Sequence, residues 1–359
     1  MIIDRRRVLA GLAAASLLPV APLAAAGRPA FVAARREADG SHAAAVFTHD
    51  GEILFTERLD GRGHDAALSP DGRTAVVFAR RPGHFAVVID LAARRRATAF
   101  APPPDRHFYG HGLFSRDGRL LYATENDFDA ERGVLGVYDV GAGYRRIGEL
   151  DCGGIGPHEA ILLADGRTIA VANGGIATHP DYPRLKLNIA TMAPSLAYVD
   201  VETGDLLGRA SLPAALHQLS LRHMAEAADG TVWIGGQYEG PRSDRLALVA
   251  RHRRGGDIAL LEAPPALWPG FDHYVGSVAA SRDGGRIAVS SPRGGLVLVF
   301  DARTGSVLSR RSLPDACGLA PRGAGFLASD GAGRLWQGEG EGAPLAAHEV
   351  SWDNHIAAV

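Results

Sequence analysis

The chain carries the turn Ser69-Pro70-Asp71-Gly72 just before the apolar run Thr74-Ala75-Val76-Val77-Phe78. An Asp-Gly pair between two strand-like runs is a strong signal for a β-hairpin. The same turn chemistry recurs before further strand-like runs, at Ser115-Arg116-Asp117-Gly118, Ala164-Asp165-Gly166, Ala228-Asp229-Gly230 and Arg282-Asp283-Gly284. This recurrence indicates a chain built from copies of one antiparallel unit.

Each unit continues with a third strand that ends in aspartate and a turn into a fourth strand, as at Val299-Phe300-Asp301 and Arg303-Thr304-Gly305. Four antiparallel strands with a period of about 40 to 50 residues are typical of the blades of a β-propeller. The spacing predicts six complete blades, at residues 64–100, 107–150, 156–212, 221–262, 275–313 and 315–349.

Residues 30–60 supply strands for one more blade but no innermost strand. The last residues of the chain, Asn354-His355-Ile356-Ala357-Ala358-Val359, have the pattern of that missing strand. Closing the ring in this way removes the open sheet edges. The sequence therefore predicts an all-β fold, a seven-bladed β-propeller closed by the C-terminal strand, with residues 27–359 as a single domain.

Residues 1–26 have the pattern of an export signal. Arg5-Arg6-Arg7-Val8-Leu9 opens an Ala/Leu-rich stretch that ends in Ala24-Ala25-Ala26 and is too short for a membrane span. The adjacent arginines resemble a twin-arginine signal, and an ordinary Sec signal is the alternative. We expect a periplasmic mature protein, exported by the twin-arginine pathway, monomeric and without a membrane span.

The 359 residues include 38 basic and 40 acidic side chains, for a formal net charge of -2. This balance argues against a dedicated nucleic-acid-binding protein, because such binding depends on many uncompensated contacts with phosphate. With 46% hydrophobic and 22% charged residues, the composition excludes collagen-like, coiled-coil and disordered chains. Lys186 is the single lysine, and the 14 histidines are the most distinctive feature.

Aligning the innermost strands on their Asp-Gly turns places a histidine at one shared position in five blades. Ser277 and Cys317 occupy that position in the other two. Imidazole is the commonest metal ligand because it offers a neutral nitrogen near pH 7. The candidate metal ligands are the shared histidines, the histidines just before such positions, and the cysteine: His64, His111, His158, His223, His355, His107, His273 and Cys317.

An imidazole-rich site suits iron or copper, with zinc less favoured, better than calcium or magnesium. Metal–nitrogen distances of about 2.0 to 2.1 Å suggest that only neighbouring blades share one ion, which favours His64, His111, His158 and His355. The structural alternative is the Gly-His pair of WD-type propellers, which Gly63-His64 and Gly110-His111 match. Whether Cys152 and Cys317 form a disulfide depends on their Cα atoms lying within about 7 Å.

The loops that enter the innermost strands and those that join second to third strands are expected to meet at the histidine-lined mouth. The longest insertion, residues 173–195, is expected over this mouth, either as a lid or partner-binding loop or as simple packing. Glu159 is also a candidate oxygen ligand or a partner of the histidines. The candidate substrate or partner contacts are Glu125, Arg132, Glu159, His179, Arg184, Asn188, Gln237 and Arg293.

Six distinctive motifs are spread along the chain: His107-Phe108-Tyr109-Gly110-His111-Gly112, Gly156-Pro157-His158-Glu159, Ala172-Asn173-Gly174-Gly175-Ile176, Ser220-Leu221-Arg222-His223, Ser290-Ser291-Pro292-Arg293-Gly294-Gly295 and Trp352-Asp353-Asn354-His355. With the twin-arginine-like signal, they resemble an uncharacterised bacterial family of exported propellers, a domain of unknown function. That family is found in periplasmic iron-uptake loci beside imelysin-like and di-haem peroxidase-like proteins. The resemblance implies iron handling with such proteins as partners. Nitrous oxide reductase, which holds copper on propeller histidines, is a looser architectural likeness.

These observations lead to three hypotheses of different classes. The first is a periplasmic metal-binding propeller that acts in iron acquisition, with or without a redox step. The second is a scaffold that docks a periplasmic partner through its top-face loops. The third is a hydrolase or lactonase-like enzyme, which the absence of a Gly-x-Ser-x-Gly motif disfavours.

Overall fold

The computed structural model describes residues 27–182 and 185–359. The predicted export signal in residues 1–26 and the candidate contact residue Arg184 lie outside the described residues. Within the described part of the chain, no helix is long and apolar enough to cross a lipid bilayer.

Seven antiparallel sheets form a ring, and we number them as blades 1 to 7 in chain order. Blade 1 begins with β1 (Phe31–Glu37), β2 (His42–Phe47) and β3 (Ile53–Leu59). Blade 2 contains β4 (Gly63–Leu68), β5 (Thr74–Ala79), β6 (Ala86–Asp90) and β7 (Arg95–Phe100). Blade 3 contains β8 (Arg106–Phe114), β9 (Leu120–Asp127), β10 (Arg132–Asp139) and β11 (Arg145–Asp151). Blade 4 contains β12 (Pro157–Leu162), β13 (Thr168–Asn173), β14 (Ser195–Asp200) and β15 (Leu206–Ser211).

The remaining blades repeat this arrangement. Blade 5 contains β16 (Leu219–Glu226), β17 (Val232–Tyr238), β18 (Val249–His252) and β19 (Ala259–Leu260). Blade 6 contains β20 (Ser277–Ala280), β21 (Arg286–Ser291), β22 (Leu296–Asp301) and β23 (Val307–Ser312). Blade 7 contains β24 (Ala316–Arg322), β25 (Gly325–Asp330), β26 (Arg334–Gln337) and β27 (Ala346–Ala347). Short 3-10 helices span Ile189–Thr191, Ala214–Leu216 and Pro265–Phe271.

The end of the chain completes blade 1. Strands β28 (Val350–Trp352) and β29 (Ala357–Ala358) both pair antiparallel with β1. The predicted seven-bladed propeller and its closure by the C-terminal strand are therefore confirmed. The closing strand differs from the expectation in one respect, because residues 353–356 leave the ladder between β28 and β29.

The middle strands are buried because neighbouring blades pack against both of their faces. Every residue of β13 and β14 is buried, whereas β7 on the outside alternates exposed and partly buried positions. Large apolar side chains such as Trp233 and Phe300 pack together in these layers. The apolar core is thus distributed around the ring, and the innermost strands line its centre.

The Asp-Gly turns form self-contained hydrogen-bonded hairpins. Asp71 Oδ1 accepts hydrogen bonds from the Ser69 hydroxyl (2.6 Å) and from the Arg73 backbone N–H (3.1 Å). Gly72 has a φ of 66°, a left-handed conformation that glycine adopts without a Cβ clash. The turns at Asp117 and Asp283 repeat the serine–aspartate bond. Their polar groups are satisfied locally, which is the pattern of turn chemistry.

Candidate metal centre

Each innermost strand that presents a histidine is irregular at that histidine. The pairing of β4 with β5 shifts between Gly63 and Ala66, and the pairing of β12 with β13 shifts between Pro157 and Glu159. Strands β8 and β16 shift in the same way, and the closing strand is interrupted at residues 353–356. A β-bulge leaves residues outside the ladder and re-aims their side chains. The bulges therefore account for how five histidines turn towards the centre of the ring.

The five shared histidines meet in one cluster, which we call the histidine cluster: His64, His111, His158, His223 and His355. The ring centroids lie 4.8 Å apart for His64 and His111, and 4.7 Å apart for His158 and His223. His223 and His355 lie 4.6 Å apart. Four of the five are buried, and His158 is partly buried.

Two overlapping groups of three have their ligand nitrogens within 4.8 Å of one another. They are His64, His111 and His158, and His111, His223 and His355. Tetrahedral coordination with metal–nitrogen bonds of about 2.0 to 2.1 Å places the nitrogens about 3.3 Å apart, so either group must contract to hold one ion. His111 belongs to both groups and is the central member of the cluster.

The first group comes from the consecutive blades 2, 3 and 4, as the sequence favoured, whereas the second joins blades that are not all neighbours. His355 from blade 1 and His223 from blade 5 belong to one group although they are not neighbours in the ring. The reason is the size of the residues that blades 6 and 7 contribute. Ser277 is small, and a Cβ added at Gly318 would lie only 2.8 Å from the His355 backbone. Small residues there leave room for imidazoles to reach across the centre.

Three cluster imidazoles are held by carboxylates from the preceding blade. His64 Nδ1 lies 3.1 Å from Asp353 Oδ1, and His111 Nδ1 lies 2.9 Å from Asp65 Oδ2. His223 Nδ1 lies 3.1 Å from an oxygen of Glu159. A carboxylate on Nδ1 leaves Nε2 available to a ligand, and such pairs orient metal-binding histidines in proteins.

These carboxylates stand beside other cluster histidines in the chain. Asp65 follows His64 and holds the histidine of the next blade, and Glu159 follows His158 and does the same. Asp353 lies two residues before His355. Each of these bulges therefore supplies one imidazole to the centre and one carboxylate to its neighbour.

Three cluster nitrogens are buried without a hydrogen-bond partner among the described residues. They are Nε2 of His111, Nδ1 of His158 and Nε2 of His355. Leaving a buried polar group unsatisfied costs about 1 to 3 kcal/mol. His273 Nδ1 and His348 Nε2 are unpartnered as well, so it is the grouping of three such nitrogens in one cluster that fits a bound metal ion.

Burial lowers the pKa of four cluster imidazoles well below the usual value of 6.5, and neighbouring positive groups lower it further. They are His64, His158, His223 and His355. These side chains are therefore neutral at neutral pH, and the neutral imidazole is the form that binds metal ions.

His111 behaves differently because it faces Asp65. Burial by itself lowers the pKa of His111, but the hydrogen bond and negative charge of Asp65 outweigh it and raise the pKa. Burial also opposes ionisation of Asp65, yet the same hydrogen bond holds its pKa below the usual value. Burial raises the pKa of Glu159 to about 8, although the charge of His111 opposes the shift.

A cavity adjoins the histidine cluster and shares His64 and His158 with it. Arg80 and Arg81, from the loop after β5, and Arg222, from the bulge of β16, contribute to its wall. Burial and the charge of Arg81 lower the pKa of Arg222 to about 10. The loops expected at the mouth of the propeller therefore do come together, and they make a cationic chamber.

A family model described as "Protein of unknown function (DUF1513)" matches residues 57–359. The chain belongs to this family. The solved structures similar to this DUF1513 chain include Kuenenia stuttgartiensis hydrazine synthase, at 14% identity and a TM-score of 0.62, covering 82% of this chain and 91% of that one. Another is the β-propeller domain of Myceliophteria thermophila Cps50 (Swd1), at 12% identity and a TM-score of 0.56, covering 85% and 94%. At such identities the likeness establishes the fold. No curated protein matches the chain.

Two predicted ligands of the DUF1513 chain make other contacts. His107 Nδ1 donates to the Phe108 carbonyl at 3.0 Å, and its Nε2 accepts from Asn126 Nδ2 at 3.1 Å, so both ring nitrogens are engaged. His273 Nε2 donates to the Asp244 carbonyl at 3.2 Å. Neither histidine belongs to the groups that bring three ligand atoms together among the described residues.

Both cysteines of the DUF1513 chain are buried free thiols, so the pairing that the sequence left open is not formed. Cys152 packs in an apolar cluster with Leu135 and Val199, whereas Cys317 Sγ contacts the Asp315 carbonyl at 3.2 Å. Burial raises the pKa of both thiols well above the usual value. Neither cysteine belongs to a group that brings three ligand atoms together among the described residues.

Two residues of the predicted contact set, Glu125 and Arg132, belong to an ion network on blade 3. Glu125 is fully buried and accepts hydrogen bonds from the Tyr138 hydroxyl (2.5 Å) and from Arg146 (2.9 Å). Arg132 donates to Asp127 at 2.8 Å and also pairs with Glu149. These interactions give both side chains a stabilising role inside the blade.

The insertion at residues 173–195 is pinned at several points. Asn188 Oδ1 accepts from the Ala177 N–H at 2.7 Å, and the His179 ring packs edge-on against Phe128 at 5.1 Å. Lys186 pairs with Glu239 of blade 5. The single lysine of the sequence thus ties the insertion to the neighbouring blade.

The remaining predicted contacts lie at the cavity. Gln237 lines it, and the Arg293 guanidinium lies 4.9 Å from the ring centroid of Tyr274, another lining residue.

Sequence reasoning missed Asp65 and Asp353 as partners of the histidines. The available signal was an acidic residue next to or near a cluster histidine in the chain, which occurs at three of the five blades.

Proposed function

We propose that this protein is a metal-binding propeller that holds iron or copper on the histidine cluster and acts in metal acquisition after twin-arginine export to the periplasm. The observation that carries the proposal is the convergence of five histidines from five blades into two overlapping groups of three, each with its ligand nitrogens within 4.8 Å of one another. The carboxylates of Asp65 and Asp353, and the carboxyl group of Glu159, lie on Nδ1 atoms and orient three imidazoles as in metal-binding histidines.

The WD-type structural role is less consistent with the contacts. A histidine that only supports a turn satisfies its polar nitrogens within the protein, as His107 does. The cluster instead leaves three buried nitrogens without partners in the described chain. Imidazole donors suit copper, iron and zinc. The resemblance drawn from the sequence favours iron, and an all-imidazole donor set also suits copper.

The test is elemental analysis of purified protein, followed by titration with iron, copper and zinc while thermal unfolding is monitored. We expect bound iron or copper in stoichiometric amount and a higher melting temperature on metal addition. His111→Ala combined with His158→Ala is expected to abolish both effects. His84→Gln, at an exposed histidine of the mouth loop, is the control that retains them. Absence of bound metal with unchanged melting, or full metal retention by the double variant, would contradict the proposal.

A second candidate function is docking of a periplasmic partner through the insertion. Three large apolar side chains there are exposed: Tyr182 at 55%, Leu185 at 56% and Leu187 at 50%. Exposed apolar side chains grouped in one segment are typical of a protein–protein contact. Imelysin-like and di-haem peroxidase-like proteins are the partners that the resemblance implies. The combined change Tyr182→Ser and Leu187→Ser is expected to abolish co-purification of such a partner while leaving the metal in place. Unchanged co-purification would contradict it.

A further inference from the structure

We infer that the cavity beside the histidine cluster binds a small oxyanion carrying two or more negative charges, such as a di- or tricarboxylate, next to the metal. The evidence for the anion site is the geometry and charge of the cavity. Its contact with a metal ion rests on the proposed function.

The first support is the concentration of positive charge. Arg80 and Arg81 come from blade 2 and Arg222 comes from blade 5, yet all three line the same cavity. Burial lowers the pKa of Arg81, and the charge of Arg80 lowers it further. The effect of Arg80 indicates that the two positive charges lie close together. Planar guanidinium groups match the geometry of carboxylate and phosphate oxygens. A multivalent anion would relieve the repulsion among them.

The second support is the shortage of counter-ions. Among the described residues, no carboxylate lies within ion-pair distance of Arg80 or Arg81. Glu239 approaches Arg222 only to 3.8 Å, and Lys186 pairs with the same carboxylate. The single lysine therefore offsets the acid that lies nearest Arg222, and no acid is among the described residues that line the cavity. The chamber keeps a net positive charge for a ligand to neutralise.

The third support is a set of neutral donors around the same space. Tyr109, Tyr274 and Gln237 line the cavity. Ser220 lines it too, but its hydroxyl already donates to the Gly174 carbonyl at 2.9 Å. The Tyr274 oxygen accepts a hydrogen bond from Asn354 Nδ2 at 2.7 Å, so its own O–H remains to donate to a ligand. A few placed hydroxyl and amide groups beside charged ones are typical of small-molecule sites.

The cavity also adjoins the proposed metal directly. His64 and His158 belong both to the cavity wall and to one of the groups of three ligands. Three imidazoles leave an open coordination position on a transition metal. An anion held by the arginines therefore lies where one of its oxygens can complete the coordination. Its charge also offsets that of the metal.

The test measures anion binding to metal-free protein by isothermal titration calorimetry at low ionic strength, with citrate, phosphate and acetate as separate probes. Citrate or phosphate is expected to bind, and acetate much more weakly. Preference for citrate would identify a carboxylate as the ligand, and preference for phosphate an inorganic oxyanion. No heat with citrate or phosphate, or equal affinity for acetate, would overturn the inference.

The variants Arg81→Gln and Arg222→Gln are expected to weaken citrate or phosphate binding at least tenfold. Arg80→Gln, at a partly exposed position, serves if either of these fails to fold. Arg311→Gln is the matched control, because Arg311 lies on the outer strand of blade 6 and stacks on Trp336 of blade 7, outside the cavity lining. Unchanged anion affinity in all three cavity variants would overturn the inference.

Metal loading separates the two proposals. With copper-loaded protein freed of excess metal, adding the anion is expected to shift the electron paramagnetic resonance spectrum, because the anion then enters the coordination sphere. Arginine-dependent binding in metal-free protein supports the anion site even if no metal binds. Metal retention without any anion binding overturns the anion site and leaves the proposed function standing.

Discussion

Asp65 Oδ2 lies 2.9 Å from His111 Nδ1, across the boundary between blades 2 and 3. The residue that follows one cluster histidine thus orients the histidine of the next blade. Because His111 belongs to both groups of potential ligands, this contact fixes the side chain on which either metal arrangement depends. The carboxylate also keeps the His111 nitrogen that faces the cluster free of other partners.

Replacing Asp65 by asparagine keeps the shape of the side chain and removes its charge. We expect metal affinity to fall about 10- to 100-fold, the usual effect of losing a carboxylate partner of a ligand histidine. Competition titration with a chromogenic chelator measures the change. Asp60→Asn removes an exposed carboxylate from the same region and is expected to leave the affinity unchanged. Equal affinity in wild-type protein and Asp65→Asn would show that the contact does not orient a ligand.

Gly110 touches the cluster as well. Its φ is 110°, and a Cβ placed there would lie 2.7 Å from the His64 ring. Gly110→Ala is therefore expected to displace His64 and to reduce metal affinity, in addition to the cost of backbone strain. Gly143→Ala carries left-handed strain at φ 70°, but a Cβ there meets nothing within 4 Å.

Metal titration and thermal unfolding of Gly110→Ala and Gly143→Ala separate the two effects. Both variants are expected to melt at lower temperature, and only Gly110→Ala is expected to lose metal affinity. Full affinity in Gly110→Ala would mean that the imidazole position does not depend on this glycine.

The propeller was predictable because its signals are local and repeated. Ser69 and Asp71 form a turn within four residues, and the same turn returns in other blades. The five shared histidines followed from the same period. Closure by the C-terminal strand followed from the one blade that lacked an innermost strand.

The contacts between carboxylates and cluster histidines were not predictable from the periodic pattern. Asp65 meets a histidine 46 residues away, and His64 meets Asp353 at a separation of 289 residues. Both contacts depend on bulges, and strict strand alternation hides bulges because it assigns neighbouring residues to opposite faces. His107 has the right sequence position for a ligand, yet Asn126 and the Phe108 carbonyl engage its nitrogens.

His107 gives the protein a predictable acid sensitivity. Burial lowers the pKa of His107 to about 4 from a usual value of 6.5. Below pH 6.5 the unfolded chain takes up a proton that the folded state does not accept until about pH 4, so the free energy of unfolding falls as the pH drops through this window. For this one group we expect a loss of about 2 kcal/mol between pH 7 and pH 5.

Urea unfolding of wild-type protein and His107→Gln at pH 7 and pH 5 measures this contribution. The variant is expected to lose less stability on acidification, by about that amount, since glutamine does not titrate. His49→Gln, at an exposed histidine of blade 1, is the control that should follow the wild type. Parallel losses in wild-type protein and His107→Gln would contradict the buried neutral state of His107.

Lys186 and Glu239 allow the charge of the cavity to be changed in either direction. Their ion pair is partly exposed, so breaking it is expected to cost at most about 1 kcal/mol of stability. In Lys186→Gln the Glu239 charge is left to act on Arg222, and we expect citrate or phosphate to bind more weakly. In Glu239→Gln the acid is gone, and we expect tighter binding.

Calorimetric titration of Lys186→Gln and Glu239→Gln, with melting temperatures recorded alongside, tests the sign of the effect. Opposite changes in affinity with small changes in melting temperature are the expected result. A structural role for the ion pair predicts that both variants bind the anion more weakly, because both release the insertion from blade 5. Equal weakening in the two variants would therefore show that the pair acts by positioning the loop, and that the charge of Glu239 does not control the cavity.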